Sequence, residues 1–284
     1  MEGLTATVDE TALAATEAET MWAHMRAEAE AALARDPALA PLFLGELLNR
    51  GSLEEAVVHR VSGRLGADAL AADAIADAFF AALARAPDIA EAFRADIAAC
   101  VARDPACRRT IEPLLFFKGF HAIAAARLAH ALWLADKRDF AFYIQSRASD
   151  AFGADIHPAA RFGKGVFLDH GTGFVVGETA EIDDDVSILH GVTLGGTGKA
   201  AGDRHPKVRR GVMIGAGAKI LGNIEIGEAS RIAAGSVVLA PAPPHSIMAG
   251  VPAKIVGYEP SDRPSHDMDQ FLRGLAYDSF DYGI

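Results

Sequence analysis

The chain is short of cysteine, of positive charge and of long apolar runs, and each shortage excludes something. Two cysteines among 284 residues cannot staple a fold of this size. Cys100 and Cys107, seven apart in a stretch that reads as helix, fit buried free thiols better than a disulfide. Lysine and arginine number 27 against 38 acidic residues, a formal net charge of −11, where a nucleic-acid binder would carry a basic footprint. An anionic ligand therefore needs a local cluster of Lys and Arg. No run of about 18 uncharged apolar residues occurs, so no membrane span is expected. The acidic opening MEGLTATVDETALAATEAE lacks an apolar signal core, and a cytoplasmic location is expected. The 51% hydrophobic content is ample for the cores of one or two domains.

What the sequence does contain is a period of six. Ile156, Phe162 and Leu168 are six apart, as are Val176, Ile182, Ile188 and Leu194, and then Val208, Ile214, Ile220, Ile226, Ile232 and Val238. Neither a 3.6-residue nor a two-residue period accounts for this. A solenoid whose flat sides are one hexad long does. Three short strands make one triangular coil with the aliphatic inward, and each coil buries the face of its neighbour. The Gly and Asn residues of IGAGAK and ILGNIE suit corners that need positive φ.

Residues 1–150 read differently, as an all-helical domain. Ser52 followed by Glu55 is a capping box, after which Leu53, Val57, Val61 and Leu65 share one helical face, as do Ile75, Phe79 and Leu83. The motif RDPA occurs at Asp36 and at Asp104, and proline disfavours helix in the residue before it, so helices are expected to break there. LLFFKGFHAIAAARLAHALWLADK is apolar enough for a buried helix, yet Lys118, His121, Arg127 and His130 interrupt it, which argues against a span. The solenoid is expected over 151–258. From 259 to 284 the repeat is lost, and charge and proline predict a flexible C-terminal tail.

The period slips twice: Val176 follows Leu168 by eight residues, and Val208 follows Leu194 by fourteen. A coil that accepts extra residues bulges them outward, and loops held on a rigid scaffold are where functional groups concentrate. The first slip delivers LDHGTG, with Asp169 and His170; the second delivers GGTGKAAGDRHPK, with Lys199, Asp203, Arg204, His205 and Lys207. Asp155 stands fifteen residues before His170. At about eighteen residues per three-hexad coil it is expected close to one stack below. A carboxylate there would fix the imidazole tautomer and make the other nitrogen a better base. The same pair would also serve as a structural hydrogen bond, and spacing does not separate the two.

DIHPAA, LDHGTGFVVGETA, VSILHGVTLGGTGK, GDRHPK, GVMIGAGAKILGNIEIG, AAGSVVL and AGVPAKIVG, together with ARDPAC, PLLFFKGFHA and DMDQ, resemble the bacterial serine O-acetyltransferase family. The resemblance covers nearly the whole chain beyond the first twenty or so residues. It implies an α+β fold in which the helical domain is followed by a left-handed parallel β-helix of hexapeptide repeats; the hand comes from the family, not from the period. It implies His170 as the general base that takes the proton of a serine hydroxyl, and Asp155 as the group that orients it. Asp104 and Asp169 match positions that contact the amino acid, with carboxylates suited to its ammonium. Arg204 suits its carboxylate, with His205 beside it. Apart from the resemblance, Asp104, before a proline, reads as a turn or cap residue. The oxyanion donor is left open between a backbone N–H and His205. For acetyl-CoA, a co-substrate rather than a permanently bound cofactor, the family uses backbone groups carried here to Gly196 and Ala216, with Arg231 and Lys254 as candidates for the phosphates. The final Ile284 matches the family residue that enters the active site of O-acetylserine sulfhydrylase. The resemblance also implies feedback inhibition by L-cysteine in the serine site, and a homo-hexamer, a dimer of trimers with the site between neighbouring solenoids. His190 and Gly191 fall in a variable stretch and are not expected to touch the chemistry.

Three rivals compete. A sugar or antibiotic acetyltransferase of the same fold would share His170 but has no reason to carry GDRHPK or the helical domain. A zinc hydratase resembling the gamma-class carbonic anhydrases would use His157, His170, His190 and His205. Their spacings of 13, 20 and 15 supply no close ligand pair and no cysteine backs them, so no metal is expected. A non-catalytic scaffold is opposed by the intact Asp155 and His170.

Overall fold

A computed structural model describes residues 10–198 and 201–271. The helical part comprises α1 (Glu10–Arg35), a short α2 (Ala40–Phe43) that continues as a π turn through Leu48, α3 (Leu53–Leu65), α4 (Ala72–Arg85), α5 (Asp88–Arg103), α6 (Ile111–Phe116), α7 (Lys118–Leu134) and α8 (Arg138–Phe152). The two RDPA motifs stop helices as the sequence predicts, for α1 ends at Arg35 and α5 at Arg103. The α3 cap forms with a small change: Ser52 Oγ accepts from Glu55 N at 3.2 Å, while the Glu55 carboxylate reaches past it to Gly51 N at 2.7 Å.

The solenoid follows at once. Its coils are β1 (Ala154–Ile156), β2 (Arg161–Phe162) and β3 (Phe167–Leu168); β4 (Phe174–Val176), β5 (Glu181–Ile182) and β6 (Ser187–Ile188); β7 (Thr193–Gly195), β8 (Lys207–Val208) and β9 (Met213–Ile214); and β10 (Lys219–Leu221), β11 (Glu225–Ile226) and β12 (Arg231–Ile232). Then come β13 (Val237–Val238), β14 (Ser246–Gly250), β15 (Ala253–Tyr258) and a short α9 (Pro264–Asp267). The three strands of a coil lie in three sheets, ordered β1-β4-β7-β10-β13, β2-β5-β8-β11 and β3-β6-β9-β12-β14-β15. Coil stacking is parallel, and only the closing β14–β15 pair is antiparallel. The hexad aliphatics point into the prism and are buried, from Ile156 and Leu168 to Ile232 and Val238. Phe162 is the exception, half-buried where the helices meet the first coil.

The helices sit on that first coil through a buried ion pair. Arg127 of α7 donates to both carboxylate oxygens of Asp96 on α5, at 2.9–3.1 Å, with both side chains almost wholly enclosed. Each partner also reaches into the solenoid: Arg127 donates to the Phe162 carbonyl at 2.9 Å, and Val166 N donates to Asp96 at 2.8 Å. The arginine that interrupts the apolar run is therefore a junction. The run's two histidines each bond to the main chain, His121 Nε2 donating to the Leu114 carbonyl at 2.7 Å and His130 Nδ1 to the Pro158 carbonyl at 2.8 Å, while His121 Nδ1 is buried without a partner. Burial pushes the His121 imidazole down to about 3, so it stays neutral. Cys100 and Cys107 are buried and unpaired with each other, and no helix among the described residues is long and apolar enough to cross a membrane.

The expected flexible tail needs correcting over its first half. Residues 259–271 return along the solenoid. Ser187 Oγ donates to the Ser265 carbonyl at 2.7 Å, and Met268 packs on Ala99, Cys100 and Phe167. Arg103 Nη2 lies 3.1 Å from His266 and 3.3 Å from Asp185. The charges that suggest a solvated tail are spent on these contacts. Ile284 lies outside the described residues.

Removing one member of a buried, hydrogen-bonded pair leaves the other charge stranded at a cost of about 3–5 kcal/mol. Asp96→Ala is expected to lower stability by that amount, read as a drop in the urea unfolding midpoint; a loss below about 1 kcal/mol, the range of a surface pair, would contradict the junction role.

Candidate active site

The first slip forms the corner between β3 and β4. His170 stands there with φ +59, and Gly171 and Gly173 follow at +71 and +73. A left-handed backbone costs an ordinary L-residue about 1–2 kcal/mol, so the corner holds His170 against its preference, and the imidazole projects outward with 71% of its side chain exposed. Two main-chain bonds fix the bulge: Asp169 N donates to Ile188 O in the next coil at 2.8 Å, and Gly171 N to Asp169 O at 2.7 Å. The start of α7 presses against it from below. A Cβ on Gly119 would lie 1.9 Å from the Leu168 carbonyl oxygen, so only glycine lets the helix seat there. Beside it, Lys118 Nζ donates to Thr172 Oγ1 at 2.5 Å.

This docking forms an open cavity of about 890 Å³ lined by Asp104, Lys118, Asp169, His170 and His190, with Phe116 and Phe117 as an apolar wall. Asp104 caps the end of α5 and makes an Asx turn, accepting from Ala106 N at 2.8 Å; the turn role and the cavity position coexist. The Asp169 carboxylate lies 3.5 Å from His170 Nε2. Burial pushes its carboxyl up and Asp104 adds to this, while His170 and His190 oppose it. A cationic ligand group between the two carboxylates would relieve that repulsion.

The second cluster occupies the other edge of the β1-β4-β7 sheet, where β4 turns to β5 and β7 to β8. Thr179 organises it. Its hydroxyl accepts from Arg204 N at 3.0 Å and from His205 N at 3.1 Å, and its own N–H donates to His205 Nδ1 at 3.1 Å. That acceptor duty puts the proton of neutral His205 on Nε2, leaving an N–H donor. Burial, with Arg204 and Lys207 nearby, keeps His205 below the usual imidazole range. Gly177 makes the room, since a Cβ there would lie 2.0 Å from the ring. Arg204 pairs with Glu178 at 2.7 Å and Lys207 with Asp203 at 2.6 Å. His157, whose ring packs on Trp133 and Phe142, is held below its usual range by burial and senses Glu178, Arg204 and Asp155.

Within one chain the site residues therefore divide. Asp104, Asp169 and His170 meet at one corner, with Ala216 further up it, while Arg204, His205 and Gly196 sit at the opposite edge. Asp155 is not stacked below His170. The first coil is twenty residues long, pairing Ile156 with Val176, and Asp155 is an outward residue in the middle of β1 that accepts from Gln145 at 2.7 Å. Arg231 also requires correction. Its side chain is buried beneath the returning segment, 3.0 Å from Glu259 and bonded to the Asp269 and Phe271 carbonyls, so it is not available to phosphates. Lys254 is exposed on β15, and Lys199 lies outside the described residues. Lys118, Glu178, Thr179 and His190 went unassigned in the sequence. His190 stands one coil above His170, twenty residues on, a spacing that could have revealed it.

A hexad prism with an imidazole on an outward bulge and a cavity beneath it defines the class of hexapeptide-repeat acyltransferases. A family model for bacterial transferase hexapeptide repeats matches residues 205–240, and one for the serine acetyltransferase N-terminal region matches 21–125. Serine acetyltransferase of Salmonella typhimurium is 50% identical over 94% of this chain and 97% of its own length. Serine acetyltransferase from Brucella abortus strain S19, solved in complex with coenzyme A, superposes with a TM-score of 0.83 at 55% identity, covering 84% of this chain and 96% of that one. A serine acetyltransferase solved in complex with cysteine gives 0.87 at 47% identity, over 89% and 98%. The chain belongs to the serine acetyltransferase family.

The seat of α7 can be tested at Gly119. Gly119→Ala is expected to lower the thermal midpoint by roughly 5–10 °C, the effect of about 2–3 kcal/mol in a protein of this size. Gly63→Ala, on α3 with nothing within 4 Å of the added methyl, is expected to raise it slightly.

Proposed function

We propose that the chain transfers the acetyl group of acetyl-CoA to the hydroxyl of L-serine, giving O-acetyl-L-serine and CoA, the first step of cysteine synthesis from serine. The observation that carries this reading is the pair of carboxylates, Asp104 and Asp169, beside His170 on the slip. They suit an ammonium next to a hydroxyl that needs a base. His170 takes the serine proton as Oγ attacks the thioester carbonyl carbon. The tetrahedral oxyanion collapses, the C–S bond breaks, and the imidazolium returns its proton to the departing thiolate. A hydroxyl is a weak nucleophile near neutral pH, so the base is indispensable.

The division of the site supports a working unit larger than one chain. A threefold arrangement that sets the His170 corner of one copy against the Arg204 edge of the next supplies what each lacks: a guanidinium for the serine carboxylate, the His205 Nε2–H as oxyanion donor, and Asp155, displayed on the intervening sheet face, to orient His170. The acyl carrier's arm would run between Ala216 of one copy and Gly196 of the other, with Lys254 as a candidate for its phosphates. Two such trimers make the hexamer. L-Cysteine, which differs from serine only at the γ atom, fits the same subsite as a feedback inhibitor, and the cysteine complex of a relative supports this.

CoA release from acetyl-CoA tests the reading. It is expected to require L-serine and to fall at least about a hundredfold in His170→Ala. Release with a sugar acceptor but not with serine would overturn the substrate.

A further inference from the structure

The His170 ring, so exposed, would swing freely about two torsions, and a base must be held to act. Among the described residues the ring packed against it is that of His190, edge to face, with centroids 5.8 Å apart and planes at 62°. The contact follows from the stacking. Leu168 pairs with Ile188 across β3 and β6, so the residues two further on, His170 and His190, project from the same corner of successive coils. The main chain that carries His190 is held from above, where Gly217 N donates to the His190 carbonyl at 2.9 Å. The coil above contributes Ala216 and Gly217 at this corner, neither charged. The charged groups facing the pair across the cavity are Asp104 at the end of α5, Arg109 and Glu112 at α6, Lys118 at the start of α7, and Asp169 on the slip. Of these, Asp169 interacts with both imidazoles.

We infer that His190 is a positioning residue for the catalytic base: its ring, packed edge to face on the His170 imidazole, holds that imidazole in the orientation that proton transfer needs. The inference rests on the assignment of His170 as base.

Steady-state kinetics on the full chain test this inference and separate it from the reading beneath it. His190→Ala is expected to lower kcat about five- to tenfold with KM for serine within about twofold, and His190→Phe, which keeps the ring contact, to recover most of that loss. Wild-type kcat in His190→Ala, or no recovery in His190→Phe, would overturn the inference. Activity surviving in His170→Ala would instead sink the base assignment.

Discussion

The buried pair between Arg127 and Asp96 holds the rest of the molecule in place. A triangular solenoid alone offers smooth faces with imidazoles exposed at a corner; it becomes a site only when something covers the bulge. Asp96 and Arg127 are desolvated together and bonded to the main chain of the first coil, so α5 and α7 cannot shift against the solenoid without stranding a charge. With those helices fixed, the start of α7 meets the Leu168 carbonyl at Gly119, and the end of α5 delivers Asp104 to the cavity. Arg103, one residue earlier, fastens the same helix end to Asp185 and Ser187 in the second coil. Packing of this kind aligns charges that would repel if free.

Electrostatics then sorts the two clusters. At the His170 corner, acidic groups crowd together and burial raises Asp169, an arrangement poised for a cation. At the opposite edge, Arg204 and Lys207 are held by Glu178 and Asp203, which orients the guanidinium and the ammonium. A zwitterionic amino acid with a hydroxyl to activate needs both environments at once. No single copy offers them on one wall, which is the physical reason for expecting neighbouring copies to share the work.

Much of this was legible in the sequence, and the parts that were not have specific causes. The hexad rule worked because each inward position is filled by a residue of one kind at a fixed spacing, and the slips worked because the solenoid has no place inside for extra residues. Asp155 was misplaced because a coil length of eighteen ignores the two slip residues, which make the first coil twenty long. His190 was set aside as part of a variable stretch, and its relation to His170 appears only when residues are counted per coil. The returning segment looked like a tail because the partners of its charges are remote: Glu259 meets Arg231, and His266 meets Arg103. The roles proposed for Asp104, Arg204 and His205 came from family resemblance. Spacing alone could not have placed them on separate corners.

The most direct test of a site shared between copies is subunit complementation. His170→Ala disables the first corner and Arg204→Ala the second, so each variant alone is expected to be nearly inactive. Co-expressed with separate affinity tags and purified through both, they assemble mixed oligomers in which one junction in about four joins two intact halves. The account predicts recovery of roughly a quarter of wild-type CoA release in the mixed species. Mixed oligomers that form and stay inactive would contradict it and confine the site to a single chain.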